Sequence, residues 1–235
     1  TENLFYPLFL TSIYFIYKSF NENKIKYDLL ASLFIGLAFL TRALASVLII
    51  VVSILFIYKI IIREYKLKEF FMKLIYYIIP FLLIVSPWII RNLFLFNNEL
   101  GIISSHYAQD SFRLNRDVNS LIIFSLIWII LYIGFIILAS GVVFPLIYLT
   151  KIKEFLNDKK LLILMIISLI SIISIMIIIS EYHASNLSVW EDTFFGIPGR
   201  PIGRHIDVIL PLVILLGAIS INIKDKIKEN ITLPI

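Results

Sequence analysis

The sequence contains no cysteine, and only 16% of its 235 residues are charged. The absence of cysteine excludes disulfide bonds, thiolate metal sites and a cysteine nucleophile. Hydrophobic residues make up 60% of the chain, whereas soluble domains have roughly 45–50% apolar and roughly 25% charged residues. This composition excludes a soluble enzyme and is typical of a membrane protein.

The sequence also lacks the short motifs of several enzyme classes. It has no glycine-rich dinucleotide or phosphate loop, no nucleophile elbow, and no His-x-x-x-His or His-Glu-x-x-His spacing for a metal. We therefore expect no cofactor and no metal. The net charge of +5 is explained by lysines between apolar runs, so nothing indicates nucleic-acid binding.

Long apolar runs are the main feature of the chain. They reach or approach the roughly 20 residues that a helix needs to cross a bilayer, and they are too long and too uniformly apolar for transmembrane β-strands. We predict an all-α, polytopic transmembrane helical bundle with about seven transmembrane helices, forming one transmembrane domain over residues 1–235. The predicted crossings are Leu4–Tyr17, Leu29–Leu40, Ala43–Ile61, Leu74–Ile90, Leu121–Thr150, Leu161–Ser180 and Val208–Ile223.

Charge between the runs predicts topology. The stretch from Leu29 to Ile61 is too long for one helix, so we predict two short helices that meet outside near Thr41 and Arg42. The run from Leu121 to Thr150 is also overlong; it crosses once, and its first third places Trp128 and Tyr132 in an outer aromatic belt.

By the positive-inside rule, four lysine-rich breaks and the C-terminus are cytoplasmic in a multi-pass protein of the cell membrane. These breaks contain Lys18, Lys24 and Lys26; Lys59, Arg63, Lys66, Lys68 and Lys73; Lys151, Lys153, Lys159 and Lys160; and Lys224, Lys226 and Lys228.

The basic residues predicted outside are all arginines. A guanidinium binds phosphate or carboxylate in a bidentate way that an ammonium cannot. Arg42, Arg91 and Arg204 each lie at the mouth of an apolar helix, where a charge is costly without a partner. Two interpretations stay open for them: binding of an anionic ligand, and snorkelling to the interface. The outer arginines are Arg42, Arg91, Arg113, Arg116, Arg200 and Arg204, and the outer loops are residues 92–120 and 181–205.

Four short motifs share this predicted outer face. They are Thr1–Phe5, Gly36–Arg42, Pro87–Asn92, and Gly203–His205 leading to Leu210-Pro211. In this order they resemble motifs of the integral-membrane glycosyltransferases of the GT-C superfamily. Within that superfamily the sequence resembles dolichyl-phosphate-mannose protein mannosyltransferases and aminoarabinose-transferase-like proteins. The fourth motif departs from the family, in which an aromatic residue more often follows the arginine than His205.

The resemblance implies a glycosyltransferase that takes a sugar from a polyprenyl- or dolichyl-phosphate carrier. The acceptor would be an extracytoplasmic protein, lipid or glycan. Arg42, Arg91 and Arg204 would bind the lipid phosphate. The sugar and acceptor pocket would be formed by Glu2, Asn92, Glu191, Asp192 and His205. Two alternatives stay open for the acidic residues: Glu2 would interact with the dipole at the start of its helix, and Glu191 and Asp192 would belong to a solvated acidic loop.

The resemblance also implies a catalytic carboxylate in an outer loop upstream of the segment that matches Thr1–Phe5. The sequence begins with threonine and shows no such loop. We therefore expect the C-terminal portion of a larger enzyme, with the catalytic loop absent and no catalytic residue of its own.

Two other classes compete with this interpretation. A transporter or lipid flippase would have repeated halves and charged or broken midplane helices; no such repeat is visible, and no ionisable residue lies at the middle of a predicted crossing. Pro80, Pro145 and Pro211 provide possible kinks, so this alternative stays open. A non-catalytic, truncated relic is the other alternative.

Overall fold

A computed structural model describes residues 2–95, 118–185 and 207–231. These ranges form nine α-helices and contain no strand. A short 3-10 helix, Ala43–Ala45, precedes the third of them. The predicted all-α helical fold is therefore confirmed. The helices are α1 (Glu2–Glu22), α2 (Ile25–Thr41), α3 (Ser46–Ile61), α4 (Leu67–Leu95), α5 (Val118–Ala139), α6 (Val143–Thr150), α7 (Ile152–Asn157), α8 (Lys159–Ser185) and α9 (Leu210–Ile231).

The pairing of α2 with its neighbours organises the first half of the chain. A tight turn at Asn23, which has a left-handed φ of 56°, returns α2 antiparallel to α1. Phe15 of α1 stacks on Phe34 of α2 with ring centroids 5.3 Å apart. Helix α4 lies along α2 in the same direction. Asp28 near the start of α2 contacts Lys73 in the first part of α4, and Phe39 near the end of α2 contacts Trp88 near the end of α4.

The break predicted near Thr41 and Arg42 is confirmed. Helix α2 ends at Thr41, Arg42 is extended (φ −155°, ψ 128°), and α3 begins at Ser46. Helix α3 then returns toward the turn between α1 and α2, where Phe56 packs on Phe20 with ring centroids 5.2 Å apart. The two helices therefore form a hairpin, as the charge pattern required.

By length and apolar composition, the described helices provide fewer membrane spans than the seven predicted crossings. In the described ranges, Ala43–Ile61, Leu67–Phe94 and Lys159–Ser180 are long and apolar enough. A fourth span is possible if Ser125–Ala139 and Val143–Thr150 count as one bent crossing. Helix α2 has 17 residues, about 26 Å of helix against a hydrocarbon core of about 30 Å, and the described apolar part of α9 is shorter still.

The run predicted to cross once as Leu121–Thr150 is divided into two helices. Helices α5 and α6 meet at an angle of 99°, around Gly141, whose φ of +75° favours glycine and ends α5. Two residues predicted for the outer aromatic belt pack inside the protein. Trp128 and Tyr132 are buried in the core because α5 turns this face toward the protein.

Helix α9 approaches α6 so closely that only glycine fits at the contact. A Cβ at Gly217 would lie 2.6 Å from Cβ and 2.8 Å from Cα of Phe144. Small residues at such contacts permit the close helix packing on which membrane bundles depend. The contact with the Phe144 backbone cannot be relieved by rotating a side chain.

We therefore predict that Gly217→Ala destabilises the protein by about 1–3 kcal/mol through overpacking. Gly134→Ala is the matched control, because a Cβ there meets nothing within 4 Å and alanine is the better helix former. Thermal unfolding of the purified chain in detergent measures both variants. Equal midpoints for the two variants would contradict the packing described for α6 and α9.

Candidate functional site

The arginine-bearing ends of α2 and α4 lie together. The rings of Phe39 and Trp88 meet edge to face with centroids 6.4 Å apart. Arg42 follows Phe39 by three residues, and Arg91 follows Trp88 by three residues. Since the two helices are parallel, both arginines belong to the same end of the pair. We call this region, formed by the ends of α2 and α4 with the start of α1, the arginine end.

Arg42 is held by local structure on both sides. Its N–H donates to the carbonyl of Ala38 at 3.0 Å, and its carbonyl accepts a hydrogen bond from the N–H of Ala45 at 3.0 Å. Its guanidinium lies 5.8 Å from the ring centroid of Phe5, within cation–π range. The half-buried side chain is therefore anchored on α1 rather than extended freely into the interface.

The same contact brings the start of α1 to the arginine end. Phe5 lies in the first turn of α1, and Glu2 is the first residue of that helix. The Glu2 backbone is thus on the side predicted for the sugar pocket. Its side chain is not among the described ones.

Arg91 and Asn92 are neighbours that occupy different environments. The Arg91 side chain is exposed, whereas Asn92 is 5% exposed. Adjacent residues on an α-helix differ by about 100° in direction, so the two side chains belong to different faces of α4. Asn92 faces the protein interior, and Arg91 faces outward.

The remaining predicted site residues lie outside the described ranges. They are Arg204, Glu191, Asp192 and His205. Their assignment to the lipid-phosphate site and the sugar pocket stays a prediction. In the parts of the chain that the structure describes, no three His, Asp or Glu side chains come together as metal ligands would.

A second polar cluster lies at the opposite end of the bundle, which we call the lysine end. Asp28 of α2 is fully buried, and Lys73 of α4 is 8% exposed. The Lys73 Nζ lies 3.3 Å from Oδ1 of Asp28. The Ser19 hydroxyl donates to the same oxygen, and the Tyr77 hydroxyl donates to Ser19 Oγ at 2.8 Å. Three helices thus meet at one carboxylate.

A neighbouring ion-pair chain joins α3 to α8 at the lysine end. The buried Lys59 pairs with Glu64 at 2.8 Å, and Lys159 pairs with the other oxygen of Glu64 at 2.6 Å. Burial acts to raise the pKa of Glu64, but the hydrogen bonds from Lys159 and Lys59 outweigh it and hold the pKa below its ordinary value. Two of the predicted lysine-rich breaks therefore occupy the same end of the molecule.

Sequence reasoning missed the buried part of this cluster. It assigned Lys59 and Lys73 to membrane orientation and gave Asp28 no role. One signal was available: Asp28 is an acidic residue at the start of an apolar run, directly after a lysine-rich break. Its partner is 45 positions away, so the sequence alone could not identify the pair.

Comparison with known proteins agrees with the resemblance. Residues 1–90 match the family model described as dolichyl-phosphate-mannose-protein mannosyltransferase. The matched region comprises α1, α2, α3 and most of α4, and it includes the first two motifs in full. It supports a membrane glycosyltransferase of the GT-C type. No curated protein and no solved structure matches the chain.

The assignment of the arginine end to the outer face makes a labelling prediction. The chain has no cysteine, so single cysteines can be introduced without a competing thiol. We expect Ser105→Cys, in the predicted outer loop after Arg91, to react with a membrane-impermeant maleimide in intact cells. Asn157→Cys, exposed near the lysine end, should react only after permeabilisation. The reverse pattern would place the arginine end in the cytoplasm.

Proposed function

We propose that this chain is the donor-binding part of a membrane glycosyltransferase. Its donor would be a sugar carried on polyprenyl or dolichyl phosphate, and its acceptor an extracytoplasmic protein, lipid or glycan. The observation that carries the proposal is the convergence of Arg42, Arg91 and the start of α1 at one end of the helices that match the family. The protein would be multi-pass in the cell membrane, with a cytoplasmic C-terminus.

The chemistry of such a donor explains the choice of arginine. Transfer breaks the bond between the anomeric carbon and the phosphate oxygen and joins that carbon to an acceptor oxygen. The acceptor proton passes to a base. Negative charge therefore grows on the departing lipid phosphate, and fixed cations at this point lower the barrier. Guanidinium groups provide both the charge and the paired donors.

Arg42 suits this role because it is already in place. The Phe5 contact and the two backbone hydrogen bonds restrain it before any ligand arrives, so little ordering accompanies binding. Arg91 is exposed at the same end and would close on the phosphate from α4. Arg204, which precedes α9 in sequence, would be the third ligand of the phosphate.

The proposed pocket for the sugar and acceptor lies beside the phosphate site. Asn92, next to Arg91 and buried, offers an amide that can hydrogen-bond sugar hydroxyls. Glu2 begins α1 at the same end. Glu191, Asp192 and His205 are assigned to the pocket by the sequence pattern and the resemblance.

A transporter or lipid flippase is the second candidate, and one observation favours it. Helices α5 and α6 divide an apolar run at Gly141 with a bend of 99°, and broken helices of this kind surround the substrate sites of transporters. The two functions differ in one bond. A glycosyltransferase cleaves the link between sugar and phosphate, whereas a flippase moves the carrier across the bilayer with that link intact.

Replacing either arginine should weaken binding of the phosphate carrier. We predict that Arg42→Ala and Arg91→Ala each reduce affinity for a polyprenyl-phosphate sugar about 10- to 150-fold, the loss of about 1.5–3 kcal/mol from one charged hydrogen bond. Lysine at either position should restore only part of the affinity, because the bidentate geometry is lost. Binding is measured with the purified chain in nanodiscs.

Arg63→Ala is the control for this experiment, since Arg63 is an exposed arginine in the turn between α3 and α4 at the lysine end. It should bind the carrier like the wild type. Wild-type affinity in both Arg42→Ala and Arg91→Ala would refute the phosphate role and leave snorkelling as the explanation for these side chains.

A further inference from the structure

The buried charges at the lysine end are not explained by membrane orientation. The positive-inside rule acts on lysines in loops and does not require burial. Lys66 and Lys68, in the same lysine-rich break, are exposed as that rule allows. Lys73 is 8% exposed and its partner Asp28 is fully buried. A pair taken out of solvent at this cost indicates a further role.

The pair lies at one end of a continuous seam between α2 and α4. Next along the seam, the Ser32 hydroxyl donates to the carbonyl of Tyr77. A Cβ at Gly36 would lie 3.2 Å from Cβ of Ile84. Beyond it, Phe39 meets Phe81 and Trp88. The seam therefore runs from the lysine end to the arginine end, with both helices in the same direction.

The apolar part of this seam specifies the axial position of one helix against the other less strictly than a charge pair does. If α4 moved by one turn, about 5.4 Å, so that Trp88 replaced Ile84 opposite Gly36, Val85 would replace Phe81 beside Phe39. Only Trp88 would then give way to a polar residue, Asn92. The ion pair does specify the axial position, because the same movement would leave two charges buried without partners. Buried polar pairs are best known for this effect in coiled coils, where they select the register.

We propose that Asp28 and Lys73 form a register lock that positions Arg91 against Arg42. Arg42 is 14 residues beyond Asp28, about 21 Å of helix, and Arg91 is 18 residues beyond Lys73, about 27 Å. Helix α4 is continuous through Pro80 and Pro87, so a shift at Lys73 is carried to Arg91. The two charges are positioning residues; the consequence for donor binding rests on the proposed function.

The close approach of α2 and α4 provides a direct measure of register. In the cysteine-free chain, Gly36→Cys with Ile84→Cys places two Cβ atoms 3.2 Å apart. This is a few tenths of an ångström closer than the range of about 3.5–4.5 Å in natural disulfides, so a small separation of the helices lets the bond form. Gly36→Cys with Trp88→Cys reports the position one turn away. We expect the 36–84 disulfide to dominate in the native background and the 36–88 disulfide to be scarce.

Removing one charge should alter this pattern. In Lys73→Met and Asp28→Asn, the 36–84 yield should fall and the 36–88 yield should rise, and Lys73→Arg should restore the native pattern. Asp28→Asn/Lys73→Met removes both charges, so it tests register without a buried unpaired ion if the single variants do not fold. Lys66→Met/Lys68→Met is the matched control and should leave both yields unchanged.

Carrier binding by the folded fraction separates positioning from stability. We expect Lys73→Met to lose affinity for a polyprenyl-phosphate sugar by about as much as Arg91→Ala, 10- to 150-fold, with Lys73→Arg near wild type. If the charge variants shift from the 36–84 to the 36–88 disulfide but the wild type binds no carrier, the proposed function is refuted and the register lock still stands. Native disulfide yields in Asp28→Asn/Lys73→Met and in a folded single variant would overturn the lock itself.

Discussion

The pairing of α2 with α4 is the constraint on which the rest of the structure depends. Inside a bilayer, lipid tails are as apolar as leucine, so burying aliphatic side chains against each other gives little drive for two helices to associate. Close packing and polar contacts must provide it. The α2–α4 seam has both: Gly36 admits Ile84 at contact distance, and Asp28 and Lys73 meet in the buried cluster at the lysine end.

This pairing gives the two ends of the bundle different characters. At the lysine end, Asp28 and Glu64 bind lysines from α4, α3 and α8. The Asp28 carboxylate also accepts a hydrogen bond from Ser19, which in turn accepts one from Tyr77. At the arginine end, α2 stops at Thr41, and the extended Arg42 lies against Phe5 of α1. The lysine end sets the axial register of α2 and α4, and the arginine end holds the charges suited to a lipid phosphate.

The sequence predicted the features that depend on composition and local charge. Helical spans follow from apolar length, and the break at Thr41 and Arg42 follows from lysines on both sides of a run too long for one helix. Features that depend on distant partners were not predictable. Asp28 pairs with Lys73, which is 45 positions away in the sequence. Trp128 and Tyr132 of α5 face the core, and the 99° bend between α5 and α6 depends on the left-handed conformation of Gly141.

The candidate site was predictable only in part. The positions of Arg42 and Arg91 were found because a charge at the mouth of an apolar helix is visible locally, but their shared end was established by the Phe39–Trp88 contact.

The central claim is that the arginine end, and not the lysine end, receives the phosphate of a lipid carrier. Photocrosslinking with a polyprenyl phosphate that carries a diazirine beside its phosphate tests this most directly, since both ends are cationic and only one is proposed as the site. After irradiation of the wild-type chain in nanodiscs and peptide mapping, we predict adducts within residues 36–45 and 87–94, with competition by unlabelled carrier. Competed adducts confined to residues 18–28 and 59–73 would place the phosphate at the lysine end and contradict the account.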